Sequence, residues 1–235
     1  MSTPSLESVS NHLIAGLPRK ERLRFQAQCQ TVDLKFGSIL CQPDQPYRHV
    51  YFPLTGFISL VTELEGHIPL EMGLIGSEGM LGMTLALGVL AAPVRAVVQG
   101  DGTALRMSAA NFRLALRLSP GLMRLINRYQ FVAMMQLSQS AACARFHETA
   151  PRLARWLLMT HDRAHADHFH LTHEFLAGML GVRREGVSLA AGILQKNKLI
   201  RYTRGDIRIL DRAGLEAVAC ECYQALLRDY ARLLA

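Results

Sequence analysis

Two guanidinium groups, a carboxylate and a hydroxyl fall between positions 183 and 188, as Arg183, Arg184, Glu185 and Ser188. An arginine can donate two parallel hydrogen bonds to a guanine edge or a phosphate, a glutamate can accept from the cytosine amine, and a serine can meet either base edge or phosphate. Arg204 follows in "LIRYTRGDIRIL", and from 181 to 212 eight basic side chains stand against three acidic ones. A positive surface of that density favours a polyanionic partner, and the whole chain leans the same way, with a formal charge of +7 over 235 residues. Charge alone decides little, because arginines also decorate ordinary solvated helices.

Other residues with chemical potential are less well arranged. The five cysteines, Cys29, Cys41, Cys143, Cys220 and Cys222, form no C-x-x-C pair. Cys220-Glu221-Cys222 is the one close pair, and on a helix two such side chains diverge by about 200°. The spacing therefore argues against an iron–sulfur cluster or a structural zinc, and no metal site is assigned. Five histidines crowd the tract 161–173, which suits a metal sensor or a proton switch but more often marks a polar connector leading into the next helix. "GLIGSEGMLG" lacks the Gly-Lys-Ser/Thr of a P-loop. Its Ser77 matches the Gly-x-Ser-x-Gly nucleophile pattern, but that pattern needs a strand-to-helix elbow, and the flanking sequence alternates like antiparallel strands, so no catalytic residue is assigned and the remote hydrolase reading is set aside.

Half of the residues are apolar, enough for packed cores in one large or two small domains. "MSTPSLESVSNHLIAG" has no basic region followed by an apolar core, and no apolar run approaches the roughly 20 residues of a membrane span. The expected setting is the cytoplasm, with reduced thiols and no membrane partner. Leu6 to Gln30 suits short helices. Thr31 to Met107 changes to short β-like runs punctuated by Gly, Pro and Asp, which predicts a compact antiparallel β domain. Ser108 to Ala235 is mainly helical, with one β interruption near 199–210. Within it, Pro120 to His147 carries only three charged residues, all arginine, and apolar side chains on more than one face. A helix of that kind is covered on two sides, either as the central helix of a monomeric core or by the β domain on one face and a symmetry mate on the other.

Thr172, before "HEFLAGML", can cap a short helix, Gly181 supplies a tight turn, and a second helix follows with Val187, Ala190 or Ala191, and Leu194 facing inward. Its polar and basic residues gather at the N-terminal end, the arrangement of a helix-turn-helix whose second helix enters the major groove of double-stranded DNA. The two β runs around Arg204-Gly205-Asp206 make a hairpin carrying Arg201, Arg204 and Arg208, a wing placed to touch phosphates.

The order of β domain, long helix, helix-turn-helix and basic wing resembles the Crp/Fnr family of bacterial transcription regulators. The likeness is strong over "LTHEFLAGMLGVRREGVSLAAGILQKNKLI" and looser at 31–107, where "YFPLTGFISLV" and "IGSEGMLG" resemble pieces of the family's β-roll. The resemblance implies an α+β protein with an N-terminal antiparallel β-roll sensory domain (1–119), a long dimerisation helix (120–147) and a C-terminal winged helix-turn-helix (148–235). It implies a homodimer on an inverted repeat of double-stranded DNA, with RNA polymerase as a further partner. The family's Ser-Arg-Glu-Thr-Val-Ser-Arg segment reads Arg183-Arg184-Glu185-Gly186-Val187-Ser188-Leu189 here, so Arg184, Glu185 and Ser188 inherit base or phosphate contacts, and Leu189 replaces the final arginine. Relatives that bind cyclic nucleotides carry a Gly-Glu-Leu and an Arg-Ser-Ala segment. Here these read Gly82-Met83-Thr84 and Val94-Arg95-Ala96, out of register for both charges. With Met83 and Val94 at those places the pocket argues against cyclic AMP; the alternative is a phosphate site shifted by one residue onto Arg95, which on a strand would turn to the opposite face. The N-terminal cysteine cluster of the family's iron–sulfur members is also missing, haem stays open, and the effector is left unassigned.

Overall fold

The computed structural model describes residues 10–66 and 68–234. The helical stretch expected from Leu6 is thus described only from position 10, and residues 6–9 lie outside the described residues. Two short helices, α1 (His12–Ala15) and α2 (Arg19–Gln26), lead into strands β1 (Gln30–Leu34), β2 (Ile39–Cys41), β3 (His49–Pro53), β4 (Phe57–Thr62), β5 (Leu70–Ile75), β6 (Arg95–Gly100) and β7 (Gly102–Ser108), with a 3-10 turn at Met83–Leu87. Then come α3 (Ala109–Leu118), α4 (Pro120–Phe146), α5 (Thr149–Ala164), β8 (His168–His170), α6 (His173–Leu180), α7 (Arg184–Lys196), β9 (Ile200–Thr203), β10 (Asp206–Ile209), α8 (Arg212–Val218) and α9 (Cys222–Leu234). Internal contacts divide the chain into two units. One holds the described chain up to Leu60, Leu74–Met134 and the stretch from Tyr230; the other holds Val61–Gly73 and Met135–Asp229.

Strands β1 to β7 form the antiparallel β-roll expected from the sequence, with one sheet ordered β1-β7-β3 and another ordered β2-β6-β4-β5. Strand periodicity sorts its side chains into two cores, because successive residues of a strand point to opposite faces. On β3 and β7, Val50, Phe52 and Met107 join the core beneath the helices, with Phe112, Leu122, Ile126 and Tyr129. Ala104 and the half-buried Tyr51 face the other way, toward Ile58, Ala96 and Val98 of the second sheet. Asn11 ties the N-terminal helices in. Buried, it accepts from the amides of Leu13 and Ile14 as the cap of α1 and donates to the carbonyls of Pro53 and Gly79 at 3.0 and 2.8 Å. At the turn joining β6 and β7 the backbone runs against the turn before β4: a Cβ on Gly102 would stand 2.2 Å from the Thr55 carbonyl oxygen, and Gly56 sits at φ +69°. Only glycine fits either place.

Helix α4 shows the two-sided pattern expected for it. Leu122, Ile126, Tyr129 and Val132 are buried along one edge, while Phe131, Met134, Met135 and Leu137 lie exposed along another.

In the second unit α5 is the central element, with Leu153, Ala154, Leu157 and Leu158 fully buried, and it packs against α6, α7 and α8. Tyr223 of α9 donates to Asp162 at 2.8 Å, and Arg212 at the start of α8 meets the same carboxylate at 2.8 Å. Besides the expected hairpin near 199–210 there is a third strand: β8 pairs with β10, matching Phe169 with Ile207. Three residues inside a polar histidine tract carry no legible strand pattern, and β8 exists because β10 lies alongside. No helix among the described residues is long and apolar enough to cross a membrane.

Phe112 is fully buried, edge-on to Phe52, which is itself edge-on to Phe25. Phe112→Ala should cost about 3–5 kcal/mol, the range for deleting a buried aromatic ring. The check is the unfolding midpoint of the β-roll in chemical denaturation; a loss under about 1 kcal/mol would contradict this packing.

Candidate nucleic-acid interface

Local chemistry sets each part of the helix-turn-helix. Thr172 caps α6, its Oγ1 accepting the Phe175 amide at 3.1 Å. Gly181 closes the helix at φ +62°, the left-handed conformation that glycine adopts without strain. Arg183 is the first flanking residue of α7. Along α7, Val187, Ala190, Ala191 and Leu194 are buried as the spacing predicts, and Arg184, Glu185, Ser188, Leu189 and Ile193 point to solvent.

The wing is a two-residue hairpin. Arg204 at φ +50° and Gly205 at φ +91° form its turn, both in the left-handed region that a type I′ turn requires. Asp206, expected in the turn, is instead the first residue of β10, and Arg208 stands opposite Arg201 across the hairpin. Asp206 pairs with histidines of the neighbouring strand. Its Oδ1 lies 3.0 Å from His170 Nδ1 and 3.5 Å from His168 Nε2, and the His170 hydrogen bond holds its carboxyl below the usual range.

Three of the expected site residues converge. Thr172, Arg184 and Arg204 line one open groove of about 490 Å³, together with His173, Glu174, Tyr202 and Gly205. Arg183, Glu185 and Ser188 lie on the same helix end outside the groove lining. His173 and Tyr202 carry no signal of their own in the sequence. Their rings stack at 4.2 Å with an 18° interplanar angle, fixing α6 against the wing. Burial, and then the charge of Arg184, hold the His173 imidazole below its ordinary value, so it is neutral near pH 7. Ser188 Oγ donates to the Arg184 carbonyl at 3.1 Å and lies 2.8 Å from His173 Nδ1. Its single proton is thus used within the protein, and acceptor capacity is what it offers a ligand.

The residues expected at the effector pocket all lie in the first unit. Met83 begins the 3-10 turn, packs against the core beneath the helices, and gives its carbonyl to Gln130 Nε2 at 2.7 Å. Val94 precedes β6 and its carbonyl accepts the Cys41 thiol at 3.6 Å, while Arg95 is the first, half-buried residue of that strand. Ser77 sits in a turn after β5, where its carbonyl accepts the His12 amide at 2.7 Å, not on a strand-to-helix elbow.

One premise of the cysteine reading is corrected. Cys220 lies in the bend before α9 and Cys222 is the first residue of that helix, so the divergence of two residues on one helix does not apply. Cys143 Sγ stands 3.6 Å from Cys220 Sγ. The Cys220 hydrogen bond pushes the Cys143 thiol down to about 4, the same contact pushes Cys220 up, and burial raises Cys222.

Residues 151–218 match the Crp-like helix-turn-helix domain. No curated protein sequence matches the chain. Among solved structures, a transcriptional regulator of the Crp/Fnr family from Eubacterium rectale superposes with a TM-score of 0.69 at 17% identity, covering 88% of this chain and 96% of its own. A Crp/Fnr-family regulator from Thermus thermophilus gives 0.67 at 22% identity over 81% of this chain and 98% of its own. The c-di-GMP-responsive global regulator CLP of Xanthomonas campestris gives 0.66 at 17% over 82% and 99%. Residues 151–218 thus carry a Crp-like helix-turn-helix domain, and the chain around it shares the fold of these Crp/Fnr-family regulators.

Proposed function

We propose that the protein is a homodimeric, sequence-specific DNA-binding regulator in which α7 enters the major groove at each half of an inverted repeat and the wing touches the neighbouring phosphates. The observation that carries this reading is the convergence of Thr172, Arg184 and Arg204 from three elements on one open groove beside the exposed face of α7. Arg184 and Glu185 start the helix, where side chains reach base edges; Arg204 at the hairpin tip meets phosphate. Leu189 is 72% exposed and Ile193 52%, an apolar strip suited to thymine methyl groups where relatives place an arginine. RNA polymerase is the protein partner that the family resemblance adds.

Pairing of two copies is supported by the exposed apolar edge of α4, with Phe131, Met134, Met135 and Leu137. Sedimentation at micromolar concentration should give about twice the 26.1 kDa chain mass. A strictly monomeric species with and without operator DNA would remove the dimer from the mechanism.

For DNA contacts, Arg184→Ala should cost about 1–3 kcal/mol on the preferred operator and relax its sequence preference. Arg204→Ala should weaken operator and scrambled duplex by a similar factor and lower the salt dependence by about one phosphate contact. The measurement is a titration on both duplexes at several salt concentrations, with circular dichroism verifying that each variant is folded. Equal weakening of both duplexes by Arg184→Ala would make α7 an electrostatic surface and not a reading helix.

Control by something other than cyclic AMP is part of the proposal. Met83 gives its carbonyl to Gln130, and neither Met83 nor Val94 offers the positive charge that a buried phosphate needs. Adding cyclic AMP should leave the melting temperature and DNA affinity unchanged. Tight binding would stabilise the fold by roughly 2.7 kcal/mol at a hundredfold excess over its dissociation constant, and a melting shift of that size would favour the alternative phosphate site at Arg95.

A further inference from the structure

Three cysteines and a histidine from two distant stretches of sequence meet in the second unit. Cys143, near the end of α4, and His147, just beyond it, are four residues apart, one helical turn. Cys220 and Cys222 bracket Glu221 where the chain bends from α8 into α9. Cys143 Sγ is 3.6 Å from Cys220 Sγ, Cys222 Sγ is 3.5 Å from His147 Nδ1, and all four ligand atoms lie within 4.8 Å of one another. The three thiols are buried and the imidazole half-buried.

The spacing selects one kind of occupant. Ligands bound at about 2.0–2.3 Å to a single tetrahedral ion stand about 3.3–3.8 Å from each other, close to the two contacts above. Iron–sulfur clusters, with two or more irons, spread their thiolates wider than one ion does. A disulfide would join two of the sulfurs and leave the third thiol and the imidazole gathered for no reason.

The surroundings fit the same occupant. With Nδ1 turned to the sulfurs, the imidazole must carry its proton on Nε2, and Glu221 Oε1 lies 3.1 Å from that atom to accept it. Gln139 Nε2 donates to Cys222 Sγ at 3.0 Å, a hydrogen bond that favours a thiolate. Arg155 lies near enough for its charge to favour the Cys143 thiolate. Three thiolates around a divalent cation leave one net negative charge, which this arginine offsets.

We propose that Cys143, His147, Cys220 and Cys222 form a closed site for one thiophilic divalent ion of the zinc class, which ties the end of α4 to the bend between α8 and α9. Four protein ligands leave no open position for a substrate, so the ion is structural. On binding, whatever protons the three sulfurs still hold pass to solvent. The site is independent of the DNA-binding face, and its test does not involve DNA.

The full chain, purified under reducing conditions without added chelator, should contain about one zinc per chain by plasma mass spectrometry, the stoichiometry of a single four-ligand site. Cys222→Ser and Cys143→Ser should lose most of it. Cobalt(II) added to protein stripped of metal should give the visible bands of a tetrahedral centre and a near-ultraviolet thiolate charge-transfer band, both abolished by zinc. Since cysteine variants can misfold, Glu221→Gln serves as the mild control: it should retain the cobalt spectrum and weaken zinc binding by about 10–100-fold. Folded wild-type protein with neither bound metal nor a tetrahedral cobalt spectrum would overturn the site. So would iron with sulfide, a Cys143–Cys220 disulfide in place of metal, or unchanged zinc content in both cysteine variants.

Discussion

A helix can hold one face out to a groove only while its opposite face is held in, and here that hold is the packing of α7 on α5. Helix α7 buries Val187, Ala190, Ala191 and Leu194, and α5, which it contacts, buries Leu153, Ala154, Leu157 and Leu158. Ala190 and Ala191 present little bulk, which lets the helices approach closely. Since the period of a helix is fixed, burying those positions leaves Arg184, Glu185, Ser188 and Leu189 outside. The turn at Gly181 and the cap at Thr172 then set where α7 begins.

The electrostatics follow from the same frame. Arg201 and Arg208 face each other across the hairpin with Arg204 at its tip, an arrangement of like charges that costs free energy in isolation. Asp206, at the start of β10, is hydrogen-bonded to His170 and lies 3.5 Å from His168 on β8. Three arginines against the single carboxylate of Asp206 leave the hairpin with a net positive charge. The histidine tract, an ambiguous run in the sequence, has a definite structural role: one strand of the wing sheet, a partner for its acid, and in His173 a stacked ring under the groove.

The cysteine cluster bears on how the end of the chain is secured. Cys143 and Cys220 are 77 positions apart, and a single ion between them would close a long loop of the second unit, adding to the hydrogen bond from Tyr223 to Asp162 that already ties α9 to α5. Neither the cluster nor that hydrogen bond involves the exposed Arg184, Glu185, Ser188 or Leu189 of α7.

Features that depend on residues a few positions apart were legible in the sequence. The cap at Thr172, the left-handed Gly181, the inward face of α7, the Arg204-Gly205 turn, the change from β texture to helix and the two-sided α4 all rest on local dihedral preferences and on periods of 2 and 3.6 residues. The resemblance of 171–211 to a known reading motif came from that same local pattern. What tertiary structure alone decided are the meetings between distant segments. The groove that gathers Thr172, Arg184 and Arg204, the stacking of His173 on Tyr202, strand β8 and the Cys143–His147–Cys220–Cys222 cluster are each made by packing across long separations. Cys220 and Cys222 do not share a helix, which begins only at Cys222, so the divergence of two residues on one helix does not describe them. Ligand geometry is set by where elements end and what they pack against, and neither is written in the spacing of two residues.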